Sequence, residues 1–185
     1  MSSSTKTEII HTASRMLLSK GFNGFSLQEL ATELKLNKAS LYHHYSSKTA
    51  LGIALYQFYQ SSFLQWAQVH SHLSPEKQIL AYVDTLTVWI CEKQRVCPVG
   101  ALSLEWSLVE EELQHEIIKL HTLHKEWLSK LLKEIQKKEK LKFNLNDTTL
   151  QIMGLIQGSI QIARINQDSK LVKKNLKSFL KILKG

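Results

Sequence analysis

The chain is short of the residues that punctuate strands and tie loops together. Its 185 positions include seven glycines and two prolines, too few for the regularly spaced turns of a sandwich or barrel. Two cysteines, Cys91 and Cys97, cannot make a disulfide framework and have no neighbours at zinc-ligand spacing. Both read as thiols, and no metal site is expected. No run approaches the ~18 uncharged apolar residues of a membrane span, and the opening MSSSTKTEII lacks the apolar core of a signal peptide. The expected location is cytoplasmic. Also missing are a glycine-rich phosphate loop, a G-x-S-x-G elbow and an H-E-x-x-H helix. The chain is therefore expected to be no enzyme and to carry no cofactor.

What is present is helical. Leu, Lys, Ile, Gln and Glu recur throughout, and 43% apolar content suffices for a packed core. The formal net charge of +8 is unevenly spread: residues 1–48 hold six basic and three acidic side chains, 49–117 three and eight, 118–185 fifteen and five. The N-terminal excess suits a polyanionic partner. The larger C-terminal excess is nearly all lysine at helical spacing, the pattern of a solvated face.

The first helix carries Ile10, Ala13, Met16 and Leu17 on one stripe and stops at Gly21, a residue that accepts the left-handed conformation of a C-cap. Ser26-Leu27-Gln28-Glu29 then has the spacing of a capping box, which predicts a second helix to about Leu34. Lys35-Leu36-Asn37 forms a tight turn whose Asn can cap a third helix, Lys38 to about Tyr45. On that helix Leu41 and Tyr45 share the inward face, and Lys38, Ala39, Tyr42 and His43 share the other. Compact residues near the N-terminus, polar tips and flanking cations are what a helix needs to enter a major groove about 12 Å wide. An isolated segment of this kind also fits a short amphipathic helix in a bundle; the capped helix and turn before it favour DNA recognition.

These motifs, LLSKGFNGFSLQELA followed by LKLNKASLYHHYSSKTAL, resemble the DNA-binding domain of the TetR family of bacterial transcriptional repressors over residues 7–55. One departure is Lys35, where many members carry Gly. The resemblance implies an all-α protein of about nine helices: a helix-turn-helix DNA-binding domain over 1–48 and a helical regulatory and dimerisation domain over 49–185. It implies a ligand-responsive repressor that binds a pseudo-palindromic operator as a homodimer and is released by a small effector. Within this scheme Ser26, Gln28, Tyr42, His44 and Lys48 position the protein on sugar and phosphate, and Asn37, Lys38, Ala39, Ser40 and His43 face base edges. The alternative is a helical small-molecule-binding or protein-interaction module that reads no specific DNA.

In the C-terminal part, periodicity predicts a fourth helix through Leu51, Leu55, Phe58, Ser62 and Trp66. A fifth is capped by Ser74-Pro75-Glu76, a sixth follows Cys97-Pro98, and a long seventh runs from about Leu113. An eighth is capped by Asn146-Asp147, and a ninth ends at Leu183. His121 and His124, with His115 nearby, suggest a metal site only weakly, because no Cys or carboxylate converges on them. All four tryptophans lie in this part. Large aromatics either fill a core or line a cavity; the resemblance favours a pocket for an apolar or aromatic effector, with Trp66, Trp89, Trp106, His121 and His124 as candidate lining. Gly154 and Gly158 on the eighth helix, with the stripe on the ninth, resemble the dimer interface of the family. The candidate interface residues are Met153, Gly154, Gln157, Gly158, Gln161, Leu176, Phe179, Leu180 and Leu183; the other reading is a terminal hairpin packed on its own body. Cys97, two residues after Arg95 and at a helix start, is either a redox-sensing thiol or a packing side chain.

Overall fold

The computed structural model describes residues 3–88, 97–103 and 105–184, and every regular element in them is helical. The helices are α1 Ser3–Lys20, α2 Leu27–Glu33, α3 Lys38–His44, α4 Lys48–His70, α5 Pro75–Thr87, α6 Pro98–Ala101, α7 Glu111–Glu139, α8 Leu145–Asn166 and α9 Lys170–Lys184. A three-residue 3-10 helix, Trp106–Leu108, lies between α6 and α7. The expected all-α class holds, and nine α-helices are present among the described residues.

The chain divides into two compact units, Met1–Phe63 with Val96–His121, and Leu64–Arg95 with Thr122–Gly185. The expected boundary at 48/49 therefore falls inside the first unit. Its core joins Ile9, Leu17, Leu30 and Leu41 of the first three helices to Leu51 and Leu55 of α4 and to Leu102, Leu113 and Ile117. Tyr56 donates from its hydroxyl to the Pro98 carbonyl at 2.6 Å, and Tyr59 donates to the Ser14 hydroxyl at 2.8 Å. Burial pushes the Tyr56 phenol well above its ordinary value, so the group stays a neutral donor.

In the second unit α8 packs on α9, and α5 packs on α9. Ile79, Val83, Ile152, Ile156, Ile160, Val172, Leu176 and Leu180 are buried there. Lys184 closes one end by pairing with Glu76 at 2.7 Å and Glu139 at 3.0 Å. Two local expectations need correction. Ser74 stands at the N-cap of α5 but its side chain makes no cap hydrogen bond; Gln78 instead donates to the Leu73 carbonyl at 2.8 Å. The cap of α8 is Asn144, not Asn146, because its side-chain oxygen accepts from the Asp147 amide three residues on. The sixth helix is a single four-residue turn.

Candidate nucleic-acid interface

The turn between α2 and α3 is built by local chemistry. The Ser26 hydroxyl accepts from the Glu29 amide at 3.1 Å, and the Glu29 carboxylate accepts from the Ser26 amide at 2.7 Å, completing the capping box. The Ser26 amide first, and then the Ser26 hydroxyl beside it, hold the Glu29 carboxyl below its ordinary value. At the other end of α2, Lys35 adopts φ +54° while the Leu36 amide bonds back to the Ala31 carbonyl at 2.9 Å. This is a helix-ending motif that normally uses glycine, so Lys35 bears a left-handed backbone where the family pattern has Gly. Leu36 packs against the core, and Asn37 caps α3 by accepting from the Ser40 amide at 2.7 Å.

This frame aims α3. Leu41 is fully buried and Tyr45 nearly so, whereas Asn37, Lys38, Ala39, Tyr42 and His43 are exposed and Ser40 is half-exposed. The Lys38 ammonium lies 5.6 Å from the Tyr42 ring centroid, a cation–π pair one helical turn apart. Gln28 is exposed at the start of α2 beside the capping serine. The expected contact residues of α3 are thus largely solvent-exposed, and two of the expected set are differently engaged.

Lys48 is the first exception. Its Nζ donates to the Phe25 carbonyl at 2.5 Å and sits 4.8 Å from the centroids of both Phe22 and Phe25. Burial lowers its pKa, against the pull of Glu105 and Glu29. Lys48 is half-buried, and its cation is engaged within the head. His44 is the second. Its ring meets that of His43 edge-on at 5.8 Å, and its Nε2 is buried without a hydrogen-bond partner among the described residues. That nitrogen is not presented to a groove.

A contact that sequence reasoning missed fastens the same head. Glu105 accepts from the Asn23 amide at 3.2 Å and from the Asn23 side-chain nitrogen at 3.0 Å. With Gly21 at φ +81° and its missing Cβ only 3.0 Å from the Glu105 carboxylate, the turn after α1 is shaped around that acid. No short-range motif signals a partner 82 residues away.

Of the candidate effector residues, Trp66 and His124 belong to one half-buried aromatic cluster in the second unit. Trp66 donates to the Thr85 hydroxyl at 3.1 Å, stacks on His70 at 4.2 Å, and meets Tyr82 and Trp127 edge-on at 5.5 and 5.7 Å. Tyr82 in turn lies 5.6 Å from His124. His70, Tyr82 and Trp127 were not among the expected lining; the i,i+4 pair Trp66/His70 and the i,i+3 pair His124/Trp127 carried that signal. Trp106 and His121 fall in the first unit, and Trp89 lies outside the described residues. Among the described residues no cluster of His, Cys, Asp or Glu could hold a metal ion. Cys97 is buried as the N-cap of α6, and Arg95 lies outside the described residues.

The candidate dimer face splits as well. Leu176 and Leu180 are buried within their own unit, covered where α9 meets its neighbours, and are unavailable to a second subunit. Gly154 and Gly158 face open space, with no atom within 4 Å of a Cβ built on either. Leu150, Ile162 and Ile165 are 44%, 50% and 81% exposed on the same side of α8, opposite its buried residues Ile152, Ile156 and Ala163. Gln161 is exposed, and Met153, Gln157, Phe179 and Leu183 are half-buried.

A capped helix pair that presents a small polar face, among described residues whose regular elements are all helical, has the geometry of a helix-turn-helix. Residues 9–55 match the family model described as bacterial regulatory proteins, tetR family. Over that stretch the chain carries a DNA-binding domain of the tetR type. It is 23% identical over 188 residues to an uncharacterised HTH-type transcriptional regulator of Lactococcus lactis, covering 92% of this chain and 89% of that protein. The fold is that of a TetR-family regulator from Agrobacterium tumefaciens, with TM-score 0.89, 20% identity and 98% of each chain covered. It is also that of FadR from Bacillus subtilis, solved in complex with stearoyl-CoA, with TM-score 0.76, 14% identity and 96% of each chain covered. Among the described residues no helix is long and apolar enough to cross a membrane.

Proposed function

We propose that the chain is a cytoplasmic repressor that binds a pseudo-palindromic operator as a homodimer and is released by a small effector. The observation that carries this reading is α3 itself: Leu41 and Tyr45 fix it to the head while Lys38, Ala39, Tyr42 and His43 stand exposed toward a major groove beside the capping Asn37. Lys38 and His43 read base edges, and Ala39 meets a thymine methyl. Ser26, Gln28 and Tyr42 set the register on the backbone. Residues 1–48 thus bind, and 49–185 dimerise and sense.

Dimerisation is supported by the open strip of Gly154 and Gly158 flanked by exposed Leu150, Ile162 and Ile165. Two-fold operators require two-fold proteins, and one short recognition helix binds weakly alone. Effector sensing is supported by the cluster around Trp66, Tyr82, His124 and Trp127 and by a like-folded regulator that holds stearoyl-CoA. An apolar or aromatic ligand fits such a wall, and a ligand that prefers one conformation shifts the population away from the operator-bound form.

Sedimentation velocity at micromolar concentration tests the dimer. A Cβ added at Gly158 has no neighbouring side chain within 4 Å, so the Gly158→Leu protomer is expected to fold, sediment as a monomer and lose operator affinity. A wild type that sediments as a monomer, or a Gly158→Leu dimer of unchanged strength, contradicts the assembly.

A further inference from the structure

One arc of α9 outside its buried stripe carries six lysines. Lys170, Lys173, Lys174, Lys177, Lys181 and Lys184 fall within one arc of the helix, and like charges at i,i+3 and i,i+4 oppose the helix they decorate. Two are neutralised: Lys184 by Glu76 and Glu139, and Lys173 by Asp84 at 2.6 Å. Lys170, Lys174, Lys177 and Lys181 make no ion pair among the described residues. Three of these four border a concave groove of about 460 Å³ between α5 and α9, together with Lys173, Ser169, Ser178, Thr87 and Asp84. The hydroxyls of Ser169 and Ser178 make no hydrogen bond among the described residues. A solvated lysine face needs no concavity; here the unpaired cations and unused hydroxyls converge on a space of small-ligand size.

The opposing charge in the groove is Asp84, which holds Lys173 and repels an anion. Three cations remain for a ligand. A singly charged anion gains little from exposed lysines in water, whereas adjacent phosphates engage several ammonium groups at once. Lysines supply point charges without the planar fork that selects carboxylates, and the hydroxyls complete an oxygen-binding lining. The groove also lies on the side of α5 opposite the aromatic cluster: Asp84 and Thr87 line one, Tyr82 and Thr85 belong to the other.

We propose that the groove between α5 and α9 binds a compact metabolite bearing two or more phosphate groups, held by Lys170, Lys174 and Lys177. The site is independent of the operator-reading face and of the aromatic cluster.

The test is calorimetric titration of the full chain with inorganic triphosphate at fixed ionic strength, with sulfate as the control anion. The expected result is saturable binding of one triphosphate per subunit and none for sulfate. Lys174→Gln with Lys177→Gln should weaken it by about tenfold or more, and Asp84→Asn, which removes the repelling carboxylate, should tighten it. Lys38→Ala, on the reading helix, should leave it unchanged. No saturable binding, or equal binding by the double variant, overturns the proposal. So does a titration in which only non-operator duplex DNA or phosphatidylserine vesicles bind and lose binding in the double variant, since the lysines would then form a macromolecular contact.

Discussion

Lys48 and Phe25, 23 residues apart in sequence, are joined by a 2.5 Å hydrogen bond from the lysine Nζ to the phenylalanine carbonyl, with the cation lying over the Phe22 and Phe25 rings. The lysine braces the start of α4 against the turn before α2. Lys48→Ala is therefore expected to lower the stability of the chain by about 1–3 kcal/mol, through the lost charged hydrogen bond and cation–π contact. The slope of operator affinity against salt should stay unchanged. Lys38→Ala should do the reverse, leaving thermal unfolding near wild type while weakening operator binding and relaxing preference at the base position it reads. Paired melting and salt-titration experiments on the two variants check this; a flattened slope for Lys48→Ala would return it to the phosphate-binding set.

The cap of α3 is exposed to a direct measurement. Asn37→Ala leaves the Ser40 amide without its 2.7 Å acceptor and should cost about 1 kcal/mol in denaturant unfolding. Asn37→Ser or Asn37→Asp, which retain an acceptor, should recover most of that loss. Failure of both to recover it would mean that the asparagine matters for something other than the cap.

Acid should loosen the same head through Glu29. Its carboxyl is held below the ordinary 4.5 by the Ser26 amide and then by the Ser26 hydroxyl. A depressed carboxyl binds fewer protons folded than unfolded, so its contribution is complete above the unfolded value and is lost as pH falls through the folded one. The difference in melting temperature between wild type and Glu29→Ala is expected to be constant near pH 6 and to close below about pH 4. Thermal scans across that range check the sign; a gap that widens in acid would contradict the assignment.

Cys97 is expected to behave as a packed side chain in the resting protein. It is 5% exposed and caps a helix of one turn, so thiol reagents reach it only through local opening. In a Cys91→Ser background, labelling of Cys97 should be slower in the native protein than in denaturant by at least about tenfold. Fast native labelling with concurrent loss of operator binding, absent in Cys97→Ser, would instead support the redox-sensing role.

The parts of this fold that could be read in advance are those whose cause is local. Gly21 ends α1, Ser26 and Glu29 open α2, and the alternation of Leu41 and Tyr45 with Lys38 and Tyr42 orients α3, all from residues within two turns of one another. Periodicity identified the apolar stripe of α9 but not its partner; Leu176 and Leu180 look alike whether a second subunit or α8 and α5 cover them. Asn144 and Asn146 are equivalent as cap candidates until the amide of Asp147 is placed. The Glu105 link to Asn23 and the inward turn of Lys48 depend on contacts that only the folded core creates.

The account rests on α3 reading a two-fold DNA site, and selection of bound fragments from a pool of random duplex DNA measures that most directly. The expected result is a consensus of two inverted half-sites. Repeating the selection with Lys38→Ala and with His43→Ala should relax the preference at particular base positions, equivalent in the two half-sites, at about 1–3 kcal/mol each. Fragments recovered without a shared sequence, or one consensus unaltered by both substitutions, would contradict it.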